Sequence, residues 1–175
     1  MRPDATQIWD WLAEVPDPEI PVISLTDLGI IRDIGWEGDT LVVIVTPTYS
    51  GCPATTVINL DIKNHLRDRG IDDVRLERRL SPPWTTEWIT AEGREKLREY
   101  GIAPPIDGTA ADGHVLARIG ALMGGQQAGG SNLTVPCPRC ASSDTRRVSQ
   151  FGSTPCKASW VCNTCLEPFD YFKCH

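Results

Sequence analysis

Four cysteines stand in two pairs, Cys137-Pro138-Arg139-Cys140 and Cys162-Asn163-Thr164-Cys165, with two residues inside each pair and 21 between the pairs. That spacing lets both thiolates of a pair reach one ion while nearby backbone amides turn toward the sulfurs. Two such knuckles close a tetrahedron with no open position, which suits structural rather than catalytic zinc. Iron in the same tetrahedron stays open, because sulfur softness does not separate the two metals. Cysteines acting only as small core residues would not explain both knuckles.

Cys156 and Cys174 are left over, with His175 beside the latter. The plainer reading makes Cys156 a turn residue and packs Cys174 under the cysteine-rich unit. With His175 they could instead form a second, incomplete site that a partner or cluster would finish. A regulatory disulfide is the third option.

Cys52 follows the loop Pro47-Thr48-Tyr49-Ser50-Gly51 and precedes Pro53, a residue suited to the first turn of a helix. Partial positive charge and free amides at a helix start would stabilise a thiolate and lower its pKa. A reactive or metal-donating thiol is one reading, a buried N-terminal cap the other. Covalent catalysis is not expected, because a nucleophile needs a base. The chain has only His65, His114 and His175; His65 falls well along the same helix and His114 in a glycine-rich stretch. Asp17, Glu19 and Asp27 could form an acidic edge near Cys52, or simply a solvated turn.

The 175 residues suffice for one ordinary domain and a small satellite, with 41% hydrophobic and 23% charged residues as in soluble globular chains. No apolar run reaches membrane length and no apolar stretch follows Met1, so no membrane span and no secretory signal are expected, and a cytoplasmic address is. In that compartment clustered cysteines point to metal or thiol chemistry rather than disulfides. The net charge of −6 argues against wholesale nucleic-acid binding. Residues 1–130 hold 12 Lys/Arg against 20 Asp/Glu, whereas 131–175 hold 5 against 3, so the two parts read as separate units.

The elements that must position these groups are legible in outline. Residues 6–13 read as a short helix with Ile8, Trp11 and Leu12 on one face and Asp4 as N-cap. A stiff proline segment, Pro16 to Pro21, leads to a turn closed by Gly29. Strands over 30–36 and 40–46 form a hairpin through Glu37-Gly38-Asp39. A helix from Cys52 to Arg69 places Val57, Ile58, Leu60, Ile62 and Leu66 against the sheet, and 73–80 supplies a third strand. Trp84 and Trp88 either close that core or form a client-binding patch, and 90–100 reads as a helix. The expected fold is α+β: a small mixed sheet with helices on one face over residues 1–105, a Gly/Ala-rich linker over 106–131 with one helix at 115–123, and a zinc-ribbon β domain over 132–175 built on strands at 145–150 and 158–161. Some forty residues bury too little surface to fold alone, so the metal would supply the missing stability.

The run Asp17-Pro18-Glu19-Ile20-Pro21-Val22-Ile23-Ser24-Leu25-Thr26-Asp27-Leu28-Gly29, followed by Thr46-Pro47-Thr48-Tyr49-Ser50-Gly51-Cys52-Pro53, resembles the small domain of iron–sulfur assembly factors of the SufT and MIP-eighteen kind. The tail, from Phe151-Gly152-Ser153-Thr154-Pro155-Cys156-Lys157-Ala158 to Glu167-Pro168-Phe169-Asp170-Tyr171-Phe172-Lys173-Cys174-His175, narrows the resemblance to the PaaD (PaaJ) family, accessory to the phenylacetyl-CoA monooxygenase, or epoxidase, of aerobic phenylacetate degradation. The resemblance covers residues 5–100 and 133–175. It implies a protein that does not oxidise the thioester but helps assemble or repair iron–sulfur or iron centres of that system, above all in its iron–sulfur reductase. It further implies that Cys52 handles a transient cluster or iron, with Asp27 and Thr48 near it in the motif. A homodimer stays open. The competing reading is a zinc-ribbon nucleic-acid-binding or general interaction module, with Arg139, Arg146, Arg147, Lys157 and Lys173 as phosphate contacts; the acidic larger part would oppose it.

Overall fold

The computed structural model describes residues 2–49, 51–106 and 134–173. The chain divides into two compact units between Gly93 and Arg94.

In the first unit α1 (Ala5–Ala13) starts where the Asp4 carboxylate accepts the Gln7 amide at 2.9 Å, as its N-cap spacing predicts. Ile8 and Leu12 are its buried residues, and Trp11 is only half-buried. β1 (Ile31–Glu37) and β2 (Thr40–Val45) form the expected antiparallel hairpin, with Trp36 opposite Leu41 and Gly38 at the turn. α2 (Thr55–Arg67) then carries the chain over to β3 (Val74–Arg78), which pairs parallel to β2 with Leu41 opposite Val74. The sheet order is β1-β2-β3 and the sheet is mixed.

α2 buries Ile58, Ile62 and Leu66, one i,i+4 stripe. Val57 and Leu60, expected on that stripe, are 47% and 56% exposed. Three residues at i,i+4 fill one face of a helix, and the other two apolar positions fall outside it. α2 also starts at Thr55 rather than at Cys52, with Ala54 as an N-cap that offers no side-chain hydrogen bond.

Of the two tryptophans past the proline pair, Trp84 belongs to the core and Trp88 is half-buried. Trp84 is buried and its indole N–H donates to the Leu28 carbonyl at 2.8 Å. Trp88, in the short 3-10 turn Thr86–Trp88, lies against Gly29, where a Cβ would stand 2.6 Å from its carbonyl oxygen. The Arg32 guanidinium covers its ring at 3.5 Å, beside the bulge between Ile31 and Asp33. Asp27 ties this turn to the next helix, α3 (Ala91–Tyr100): its carboxylate accepts the Thr90 hydroxyl at 3.0 Å, and that hydroxyl caps the Gly93 amide at 2.9 Å.

In the second unit the sheet has four strands in the order β4-β7-β6-β5. β5 (Thr145–Ser149) and β6 (Lys157–Cys162) lie where expected. β7 (Pro168–Phe172) adds an antiparallel third strand, and β4 (Ile102–Ala103) pairs parallel to β7. Residues 94–105, assigned from sequence to the first domain, therefore sit with the second unit, because Ile102 and Ala103 complete its sheet. Ala103, Val135, Cys137, Ala158, Trp160, Cys162, Phe169 and Tyr171 form its core, with Tyr171 edge-on to Trp160 at 6.2 Å. The helix expected at 115–123, with the rest of the linker from residue 107, lies outside the described residues.

Gly29 has φ +68, and a Cβ there would strike Trp88 backbone; Gly38 has φ +60 with nothing within 4 Å. Gly29→Ala is expected to destabilise the first unit by about 2–4 kcal/mol and Gly38→Ala by about 1 kcal/mol, read from the urea midpoint of tryptophan fluorescence.

Candidate metal centre

The two knuckles are built alike. In the first, Ala141 N–H donates to Cys137 O at 2.9 Å and Cys137 N–H to Ser142 O at 3.0 Å. In the second, Leu166 N–H donates to Cys162 O and Cys162 N–H to Glu167 O, both at 3.0 Å. The residue after each second cysteine is left-handed, Ala141 at φ 59 and Leu166 at φ 64. That reversal turns the chain back along itself and points both sulfurs of a pair the same way. Ser142 and Thr164 hydroxyls meet at 2.7 Å, and Asn163 binds Asp144 through backbone and side chain, so the knuckles brace each other. Arg139 packs its guanidinium on Gly101.

The four sulfurs of Cys137, Cys140, Cys162 and Cys165 all lie within 4.8 Å of one another. Cys137 and Cys165 sulfurs are 3.7 Å apart, Cys140 and Cys162 3.6 Å. Sulfurs about 2.3 Å from one tetrahedral ion stand roughly 3.8 Å apart, so the set fits the ion and is far too open for disulfides. Cys137 and Cys162 are buried in the sheet core, while Cys140 is exposed.

Without a cation these thiols cannot all ionise. The Cys165 amide, 3.5 Å from the Cys162 sulfur, leads the backbone donors that bring the Cys162 thiol down to about 6. At Cys165 the Glu167 amide works downward, but desolvation and the other three sulfurs outweigh it and push the thiol up to about 12. One thiolate raises the cost of the next, and a divalent ion removes that conflict.

The remaining candidates lie in separate surroundings. Cys156 is buried, with the Thr154 hydroxyl 3.1 Å from its sulfur and its carbonyl accepting the Lys173 amide at 2.9 Å. Cys174 and His175 are outside the described residues, as is His114. Lys157 and Lys173 are 7% and 3% exposed, so two of the five cations considered for phosphate contacts are buried; Arg139, Arg146 and Arg147 are exposed.

Cys52 is half-buried in a turn, its amide bound to Tyr49 O at 3.3 Å and its carbonyl accepting the Thr55 hydroxyl at 2.8 Å. Its thiol is raised, not lowered as a helix start suggested. Desolvation by burial is the main cause; the Ala54 amide opposes it, and Glu19 and Asp17 add to it. α2 begins three residues later, and its first amide, that of Thr55, donates to the Cys52 carbonyl at 3.3 Å rather than to the sulfur. Asp17 shapes that acidic edge by accepting the Glu19 and Ile20 amides at 2.9 and 2.8 Å. The Asp27 carboxylate accepts the Ser24 amide and the Thr90 hydroxyl, the Asp27 amide donates to the Ser24 hydroxyl, and Thr48 is buried. His65 stands 3.6 Å from the Glu14 carboxylate. The left-handed residues of the knuckles carried no sequence signal, since glycine marks such positions and Ala141 and Leu166 do not.

Removing the metal with a strong chelator is expected to unfold residues 134–173 while the first unit keeps its tryptophan fluorescence; a ribbon still folded would contradict the centre. Alkylation of Cys52 should rise with pH with a midpoint above the ordinary 9.0, and Glu19→Gln should lower that midpoint, measured as the rate of Cys52 modification resolved by peptide mapping of the metal-loaded protein.

No helix among the described residues is long and apolar enough to cross a membrane. An iron–sulfur cluster assembly protein family matches residues 5–75 and the PaaD zinc beta ribbon domain matches residues 124–173. An Escherichia coli K12 protein named for a component of 1,2-phenylacetyl-CoA epoxidase is 44% identical over 98% of this chain and 94% of its own. A MIP18 family protein of Schizosaccharomyces pombe is 34% identical over 45% of this chain and 42% of its own. A solved domain of unknown function from Bacillus anthracis aligns with 53% of this chain and 89% of its own at 24% identity, with TM-score 0.48. The chain belongs to the PaaD family, an iron–sulfur cluster assembly domain joined to a zinc β-ribbon carrying a metal-binding cysteine cluster.

Proposed function

We propose that this protein is a cytoplasmic accessory factor of a phenylacetyl-CoA epoxidase system, assisting assembly or repair of its iron–sulfur or iron centres, above all those of the iron–sulfur reductase, without itself oxidising the thioester. The observation that carries the reading is the near full-length match to a relative named for a component of that epoxidase, in a chain whose first unit is of the iron–sulfur assembly kind. The resident metal of the ribbon is zinc, held by Cys137, Cys140, Cys162 and Cys165 in a closed structural role.

Cys52 is the thiol that meets iron or a cluster as cargo. At rest it stays protonated, because burial and the Glu19 and Asp17 carboxylates disfavour a bare thiolate. Those carboxylates reverse their effect when a cation arrives: they favour a thiolate bound to positive charge. Iron binding then displaces the thiol proton to solvent and forms the iron–sulfur bond. Asp27 positions this site by holding the turn before β1 to the start of α3, and Thr48 lines the loop that ends at Cys52.

In cells carrying the epoxidase system, Cys52→Ser is expected to lower the iron content of the reductase component several-fold while leaving the variant folded and its ribbon metal in place. Full reductase iron in that strain would contradict the reading.

A further inference from the structure

β3 is the edge of the first unit's sheet, and among the described residues no strand pairs with its outer side. Its neighbour α2 leaves a recess of about 40 Å³ against it, lined by Ile30, Val45, Ile58, Asn59, Leu76 and Arg78 among others. That volume holds roughly three water-sized groups, so it suits the end of one aliphatic side chain, not a whole ligand. The Asn59 side-chain oxygen is buried there without a hydrogen-bond partner.

The rim is basic in a part of the chain that is otherwise acidic. On β3 and just beyond it, Arg78 lines the recess, while Arg75 and Arg79 stand on the opposite face of the strand. Arg75 is neutralised by Glu37 and Glu77, whereas Arg78 and Arg79 have no carboxylate partner among the described residues. On α2, Asn59, Lys63 and Arg67 recur at i,i+4 and share one stripe, so two more cations follow the recess. Residues 1–130 as a whole hold 20 acidic against 12 basic residues, and the cations along this edge are out of keeping with that balance.

We propose that the α2–β3 groove binds an extended acidic segment of a partner protein, which adds a strand to the open edge of β3, seats an aliphatic side chain in the recess on the α2 face, and sets carboxylates against Arg78 and Lys63 on that face and against Arg79 on the opposite face. Main-chain hydrogen bonds to an edge strand supply affinity, and the recess and flanking charges supply selectivity. An amide N–H of the segment is the donor that Asn59 lacks. A second copy of the chain is disfavoured because pairing two such edges would face basic rims against each other. Nucleic acid would use the cations but leave the strand edge and the small recess unfilled. This extends the accessory reading by stating how a partner is held, and it rests on that reading only for there being a partner.

The test is amide NMR of the zinc-loaded full chain titrated with a synthetic glutamate-rich peptide carrying a single central valine, beside a control in which lysines replace the glutamates. Saturable shifts are expected at residues 55–59 and 74–79, with slowed hydrogen exchange at the outward amides of β3. Combined Arg78→Glu and Arg79→Glu should weaken binding roughly tenfold or more. Asn59→Leu, which fills the recess, should weaken it with the spectrum otherwise intact. No shifts at β3, equal binding of the lysine control peptide, displacement of the acidic peptide by a short single-stranded DNA, or a β3 edge already protected in a dimer would each overturn the proposal. No epoxidase component is used, so failure here leaves the accessory reading standing, and that reading fails instead on reductase iron.

Discussion

Four thiols confined within 4.8 Å of one another cannot share that space as thiolates unless a cation joins them. The second unit is organised around this demand. Two of the four sulfurs, from Cys137 and Cys162, are also core residues of its sheet, so the metal and the hydrophobic core are one structure. The core besides them is short: an edge-on Trp160–Tyr171 pair, Phe169, Val135 and two alanines. Metal binding in such units contributes on the order of 10 kcal/mol to folding, more than so small a core could supply. The left-handed turns at Ala141 and Leu166 cost about 1–2 kcal/mol each, and the coordination bonds and the amides turned toward sulfur offset that cost.

The first unit sets a half-buried thiol where burial and nearby carboxylates hold its proton. Cys52 sits ahead of α2 rather than in it, so burial governs its proton more than helix amides do. Its surroundings are held by hydrogen-bonded turns: Asp17 with the Glu19 and Ile20 amides, Ser24 with Asp27, and Asp27 with Thr90. Trp84 and Trp88 lock the Leu28–Gly29 turn from above, which is why Gly29 leaves no room for a side chain. The polar residues of the motif are thus held as scaffolding around the half-buried Cys52 thiol.

Much of this was readable from residue pattern. The Asp4 cap and the hairpin follow from neighbours in sequence, and the third strand and each knuckle are marked by local pattern even though their partners lie far along the chain. The departures occur where distant residues decide. Val57 and Leu60 look like core positions by type, but the sheet accepts one stripe of α2. β7 opens with Pro168 and β4 is two residues long, so neither announces itself as a strand until the pairing of Ile102 with Asp170 joins them. The sign of the Cys52 shift depended on how far burial outweighs a nearby amide, which no linear pattern records. The basic groove beside β3 was invisible for the same reason: Asn59 and Arg78 are 19 residues apart and meet only through the crossover.

The most direct test of the account is the metal and acid-labile sulfide content of protein purified without oxygen, for wild type and Cys52→Ser. The account predicts one zinc per chain in both, and iron, after loading, that the wild type retains and the variant loses. Iron retained equally by both would remove Cys52 from the chemistry, and absence of zinc from both would contradict the ribbon on which the second unit depends.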